Sequence, residues 1–317
     1  SPTILDLMVR GAIAANADAV KFQLIYADEI ATPDYEYYSL YKRLEMDVSQ
    51  WYRVQKHLGD AGIKLYFDIS GTTGFSVAKE VCADGVKVST TNFYYSSLFD
   101  EAINHFDNLI LSVGGISIND VDTKLSKLSL KELQKICLIY GFQAEPTPIS
   151  ENNLNKIRLL RSRYPDCRIG FMDHSNGALD EAFNLSLVAM GVGLDVIEKH
   201  ITLDRELEIE DFISGITPTR FLKFVELIRE YEPALGMHSL ELSAPEKAYQ
   251  NKATKSVVSL TDLTCGEIIT FDKISLKRCA EPVNENSILK IEDAVGMTAT
   301  RNIPKHSPVL KGDLCVS

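Results

Sequence analysis

Between Ile169 and Asp211 the chain reads as strand, helix, strand, and no other feature of the sequence restricts the fold as strongly. Ile169-Gly-Phe-Met-Asp-His174 opens the unit, and Val196-Ile-Glu-Lys-His200 closes it. Between them, Ala178 to Met190 carries Leu179, Ala182, Phe183, Leu185, Leu187 and Val188, which suit an amphipathic or buried helix. Two strands joined through a helix run parallel, so His174 and His200 fall at the same rim, each just past the carboxyl end of its strand. That rim is where α/β barrels place their chemistry. Two imidazoles there, with Asp173, Glu198 and Asp211 close by, could hold one divalent metal with open positions. The competing reading makes each histidine a polar strand-end residue bonded to a neighbour.

The same alternation runs through the preceding residues. Helical spacing over Pro2 to Ala15 feeds a strand that ends near Gln23. Strands are predicted at 19–24, 64–69, 85–89, 108–113, 136–142, 167–171 and 194–199. Helices are predicted over 49–61, 74–82, 96–105, 130–135, 150–164 with Ser150 as its cap, and 218–231. Residues 26–47 hold Tyr26, Tyr35, Tyr37, Tyr38 and Tyr41 among acids without a period, which predicts a long loop covering a site. Together these pieces predict a (β/α)8 TIM-type barrel over 1–232 whose first strand is missing from the chain or supplied elsewhere. A polar linker over 233–254 follows. Residues 255–317, with short β-branched runs broken by Gly266, Pro282, Gly296, Pro304 and Gly312, predict a small β-rich domain.

Charge narrows the partners. With 33 basic and 44 acidic residues the net charge is -11, which argues against a nucleic-acid surface and requires a local basic pocket for any anionic substrate. The six cysteines form no Cys-x-x-C pair, so reduced thiols of a cytoplasmic protein are expected. No apolar run reaches membrane-spanning length, and residues 1–10 lack the form of a signal peptide.

Several segments resemble the sialic acid synthase family, which makes N-acetylneuraminic, legionaminic and pseudaminic acids. They are Ala17-Asp-Ala-Val-Lys-Phe-Gln23, Leu109-Ile-Leu-Ser-Val-Gly114, Glu145-Pro-Thr-Pro148, Ile169 to His174, Ile197-Glu-Lys-His-Ile-Thr-Leu-Asp204, Leu276-Lys-Arg278 and Val295 to Ile303. The tail is similar to the antifreeze-like (SAF) domain of that family.

The resemblance implies a condensation of phosphoenolpyruvate with an N-acylated hexosamine, assisted by manganese or magnesium, giving a nine-carbon 2-keto sugar acid and phosphate. It makes Lys21 and Lys87 the phosphoenolpyruvate lysines, with Thr90 and Ser112 as hydroxyl donors. His174 and His200 become the metal ligands. Glu198, Asp211 and Gln23 become the catalytic set, either acid moving protons if burial raises its pKa. Gln143 and Asp173 are expected on the substrate, and Arg278 is expected to reach the site of a partner in a domain-swapped homodimer. Departures are Met172 where serine is usual, Glu145 where tyrosine is common, Asn92 where an acid often sits, and the absence of the opening Glu-Ile-Gly strand with its glutamate. Two other readings stand beside this one. The first is another phosphoenolpyruvate-using aldol-type synthase or aldolase, and the second a non-catalytic sugar-binding paralogue.

Overall fold

The structure, a computed structural model, describes residues 2–209, 211–237 and 239–316. The chain divides into two compact units, Ser1–Gly236 and Met237–Ser317.

In the first unit the elements follow in the order α1 (Pro2–Ala14), β1 (Ala19–Leu24), α2 (Ala27–Ile30), α3 (Tyr38–Leu44), α4 (Val48–Asp60), β2 (Lys64–Ile69), α5 (Thr72–Glu80), β3 (Gly85–Val88), α6 (Ser96–His105), β4 (Leu109–Ser112), α7 (Ile118–Leu125), α8 (Leu130–Leu133), β5 (Ile136–Tyr140), α9 (Asn155–Arg163), β6 (Arg168–Asp173), α10 (Glu181–Gly193), β7 (Val196–Lys199) and α11 (Pro218–Tyr231). The seven strands form one parallel sheet in sequence order, β1 to β7. Ile201 and Ile216 add a single parallel bridge beyond β7.

Strands β2 to β6 are buried on both faces, which explains their near-continuous apolar composition. Val86, Val88, Leu109, Leu111, Ile136, Leu138, Ile169 and Phe171 are fully buried, each contributing about 1.5–3 kcal/mol by leaving water. Helices cover one face by the usual spacing. On α4, Asp47 caps the first turn by accepting from Ser49 N, and Trp51, Val54 and Leu58 present one stripe to the core. Trp51 packs edge-on against Phe67 and obliquely against Phe22. Helix α11 starts with Pro218 and lies close to α1 because residue 11 is glycine. A Cβ there would fall 2.8 Å from Pro218 Cγ.

The second unit contains α12 (Ala244–Ala253), the antiparallel pair β8 (Ser256–Ser259) and β9 (Ile274–Lys277), and the short pair β10 (Thr298–Ala299) and β11 (Leu314–Cys315). Its own core gathers Val257, Leu263, Ile269, Ile274, Ile288, Ile303 and Val309. Arg301 grips Asp313 through two contacts, Nε to Oδ1 at 2.5 Å and Nη2 to Oδ2 at 3.0 Å.

Four expectations need correction. Residues 26–47 are not a plain loop: they fold into α2 and α3, held by Ala27 N donating to Glu45 Oε1 and Lys42 Nζ donating to Asp28 Oδ2. The helix predicted from Ser150 starts later, at Asn155, because Asn152 Nδ2 turns back to Pro148 O and Asn153 takes a left-handed φ of 42°. The linker over 233–254 carries α12, whose first turn is closed by a reciprocal capping box between Ser243 and Glu246. The helix predicted over 130–135 shrinks to the single turn of α8, and the interval before it contains the unforeseen α7.

Candidate active site

At the carboxyl ends of the strands lies a cavity of about 500 Å³. The strands supply its lining in alternate pairs: Lys21 and Gln23 from β1, Asp68 and Ser70 around the end of β2, Lys87 and Ser89 from β3, Ser112 and Gly114 from β4, Met172 and His174 from β6, Glu198 and His200 from β7. Successive strand residues point to opposite faces, so each pair is two residues apart. The wall opposite the sheet comes from Ile25, Glu29, Ile30 and Tyr41, which belong to the α2–α3 segment and its approach. Glu29 fixes that segment by accepting from Thr73 N at 2.8 Å and Thr72 Oγ1 at 3.2 Å at the start of α5. A Cβ at Gly71 would sit 2.5 Å from Glu29 Cδ and would push this carboxylate aside.

The floor is a cluster of four charges. Lys87 Nζ donates to Glu198 Oε1 at 2.6 Å, and Lys21 Nζ stands 3.6 Å from the same oxygen. Lys21 Nζ is also 3.9 Å from Asp68 Oδ2. Burial acts to raise the Glu198 carboxyl, but Lys21 and Lys87 outweigh it and hold the group at about 2. Burial pulls Lys87 down and Glu198 opposes it; for Lys21 the neighbouring carboxylates prevail over burial and the net shift is upward. Met172 lies within this cluster, its Sδ 3.0 Å from Lys87 Nζ and 3.8 Å from Ser112 Oγ. Thr90 Oγ1 donates to Gly114 O at 2.9 Å.

At the rim the two imidazoles face each other with ring centroids 5.1 Å apart. Burial, and then each other's company with nearby lysines, lowers His174 to about 4; burial also lowers His200. Both are therefore neutral near pH 7, the form that ligates metals. The buried Nδ1 of His174 has no hydrogen-bond partner. Asp211 Oδ2 is 3.5 Å from His200 Nδ1, and Asp211 Oδ1 accepts from Gln143 Nε2 at 2.6 Å. Asp211 takes a left-handed φ of 62°, and Arg205 braces the turn that follows by donating to the carbonyls of Phe212, Ile213 and Gly215. The donor chemistry suits a divalent cation: two neutral imidazoles, one with an unused nitrogen, and a carboxylate alongside. Among the described residues no three His, Cys, Asp or Glu side chains already converge on a metal position. His174 and His200 could supply two nitrogen ligands, with further positions open to substrate or water.

The structure thus brings Lys21, Gln23, Lys87, Thr90, Ser112, Gln143, His174, Glu198 and His200 to one cavity, with Asp211 at its edge. Asp173 does not join them. Its Oδ2 lies 2.7 Å from Lys199 Nζ and accepts from Ser186 Oγ at 2.8 Å, on the face turned toward α10, so its assignment to substrate is withdrawn. At Glu198 burial raises the carboxyl but Lys21 and Lys87 lower it further, so it stays ionised. Arg278 lies in the second unit, where its Nε donates to Ala253 O at 3.2 Å. Sequence reasoning overlooked Asp68 and Ser89. The alternate-residue rule applied along β3 from Lys87 would have found Ser89; Asp68 needs the register between β2 and β3.

Two lysines therefore stand beside two neutral imidazoles in one cavity at the strand ends of an α/β sheet. Comparison with known proteins is more specific. The NeuB family profile matches residues 8–239, and the SAF domain profile matches residues 254–314. The chain belongs to the NeuB family and ends in a SAF domain. It is 27% identical over 271 residues to an uncharacterised protein of Methanocaldococcus jannaschii, covering 86% of this chain and 79% of that one. With the N,N'-diacetyllegionaminic acid synthase of Campylobacter jejuni the identity is 29% over 196 residues, covering 61% of this chain and 56% of the relative. The solved N-acetylneuraminic acid synthetase of Leptospira borgpetersenii, in complex with citrate, superposes with a TM-score of 0.72 at 25% identity, covering 79% of this chain and 86% of that one. The last two are named sugar-acid synthases, and the chain is an enzyme. Among the described residues no helix is long and apolar enough to cross a membrane.

Proposed function

We propose that this enzyme condenses phosphoenolpyruvate with an N-acylated hexosamine, forming a nine-carbon 2-keto sugar acid and releasing phosphate. The supporting observation is the meeting of Lys21 and Lys87 with Ser112 and the two neutral histidines in one cavity. The lysines would bind the phosphate and carboxylate of phosphoenolpyruvate, with the hydroxyls of Thr90 and Ser112 as further donors. His174 and His200 would hold a divalent cation, manganese or magnesium, which supplies Lewis-acid polarisation of the sugar aldehyde. Gln23 and Gln143 would hydrogen-bond sugar hydroxyls. Asp211, at the rim and outside the lysine cluster, is better placed than Glu198 to accept a proton. Glu198, ionised under both lysines, would position them.

Met172 occupies the site of an expected hydroxyl donor, which implies that phosphoenolpyruvate is held here by fewer hydroxyls and more by charge. The linker and tail would serve assembly: a homodimer in which Arg278 of each tail reaches the other chain's site. Arginine keeps its charge at any working pH, so it would supply a fixed positive fork.

Purified chain incubated with phosphoenolpyruvate, manganese and N-acetylmannosamine, or the corresponding 2,4-diacetamido sugars, should release phosphate and yield a product identified by mass spectrometry. No product from any N-acyl hexosamine, with Lys87→Met binding phosphoenolpyruvate as well as the parent, would sink the reading. In the same assay, mixed Arg278→Ala and His174→Ala subunits should regain activity if sites are shared. Continued inactivity of exchanging dimers would leave the chemistry standing and remove the assembly.

A further inference from the structure

Asp68 has no part in the scheme above, yet it belongs to the floor of the cavity. It is 8% exposed and pairs in register with Gln23 on one side and Lys87 on the other. The groups that face it are Lys21 from β1, Lys87 and Ser89 from β3 and the residue after it, and Glu198 from β7. Lys21 and Lys87 bring two positive charges, and Glu198 and Asp68 bring two negative ones, so the floor is neutral before any ligand arrives. A phosphate ester carries a charge of about -1.5 to -2 near pH 7. In the metal-free protein, admitting it whole would leave negative charge buried and uncompensated, which is costly.

One of the two carboxylates must give way, and the distances decide which. Glu198 serves both lysines from a single oxygen, at 2.6 and 3.6 Å, and is held ionised. The nearest cation to Asp68 is 3.9 Å away, beyond hydrogen-bond length, and burial pushes its carboxyl up. Asp68 is the weaker-held charge.

We propose that Asp68 accepts one proton from solvent when the phosphate-bearing substrate binds against Lys21 and Lys87, so that anion and proton enter the cavity together. The step forms one O–H bond on the Asp68 carboxylate and breaks one in the hydronium or buffer acid that supplies the proton; no other bond changes. A competing anion becomes a neutral carboxyl able to donate to the ligand. Asp68 thereby sets the pH range over which the substrate is held: affinity rises as pH falls toward the point where Asp68 is protonated without ligand, and is lost at higher pH. The inference rests on reading the cavity as a phosphoenolpyruvate site.

Isothermal titration calorimetry of the full chain, in two buffers of different ionisation enthalpy, tests it with sulfate and with phosphoenolpyruvate. Sulfate has no ionisation of its own near neutral pH, so any proton taken up belongs to the protein. The parent should take up close to one proton per anion. Asp68→Asn should take up none and should bind tighter, with an affinity that stays flat as pH rises where the parent's falls by up to about tenfold per pH unit. Asp68→Ser, also lacking the titrating group, should lose the uptake as well. Binding of the anion without proton uptake by the parent, or uptake undiminished in both variants, or weaker binding by Asp68→Asn, overturns the proposal while leaving the site. Failure of the parent to bind either anion overturns the reading of the cavity and this inference with it.

Discussion

Strand β7 presents two adjacent charged residues to opposite faces of the sheet, and the two faces treat the same chemistry differently. Glu198 points inward with Met172 beside it in register, and Lys199 points outward with Asp173 beside it. The outward pair is closed off: both side chains are 0% exposed, at 2.7 Å, and Asp173 accepts from Ser186 Oγ and Ser175 N as well. The inward cluster shares two carboxylates between two lysines at distances from 2.6 to 3.9 Å and opens to a cavity. A sealed ion pair can only hold elements together. An unevenly shared one beside open space can exchange partners for a ligand.

The largest effect that separates the faces should come from Asp173→Ala. Removing one partner strands the Lys199 ammonium in the layer between sheet and α10, at a cost of about 3–5 kcal/mol. Urea denaturation should show this loss, and phosphoenolpyruvate affinity of the folded fraction should stay where it was. A variant as stable as the parent would break the contrast at its outward side.

Lys87→Met should do the reverse with a smaller magnitude. It removes the ammonium that Glu198 contacts at 2.6 Å but leaves Lys21 to compensate that carboxylate. Stability should change little, and phosphoenolpyruvate binding should weaken by about 1.5–3 kcal/mol, the range for a charge-assisted contact. Calorimetric affinity equal to the parent's would return Lys87 to a structural role.

Much of this could be read before any coordinates. The seven strands follow from apolar runs at regular intervals, and Lys21 and Gln23, or Glu198 and His200, are two residues apart on strands whose direction the βαβ pattern dictates. What could not be read was parity at the strand ends. Asp173 and His174 are neighbours, and a shift of one residue exchanges inward for outward, so nothing in the sequence separated the cavity-facing residue from the packing one. Asp68 was missed for a related reason: Lys64 to Ile69 reads as a strand, but the face of its aspartate becomes clear only from its register with Lys87. The helices in residues 26–47 depend on contacts from far along the chain, such as Glu29 at the start of α5, which local propensity does not report. Helix α12 was legible in principle, because Ser243-Ala-Pro-Glu246 is a capping box with proline in its first turn.

A third ion pair, on the outer surface, sharpens what burial contributes. Asp122 on α7 receives Arg163 through two nitrogens, Nε at 2.8 Å and Nη2 closer still, and the hydroxyl of Tyr164 at 2.7 Å. Its hydrogen bonds to Arg163, then Tyr164, hold the carboxyl down at about 2. By geometry it is the best-formed of the three, but both partners face water, where desolvation is slight and salt screens the attraction. A carboxyl lowered on folding stabilises the protein above its unfolded value of 3.8, and that contribution fades as pH falls toward about 2. Asp122→Asn should therefore lower the urea midpoint at neutral pH by less than either substitution above changes its own observable. The gap from the parent should narrow as pH drops below 3.8 and as salt is added. A gap as large as that of Asp173→Ala, or one indifferent to pH and salt, would show that hydrogen-bond geometry and not burial sets the worth of these pairs.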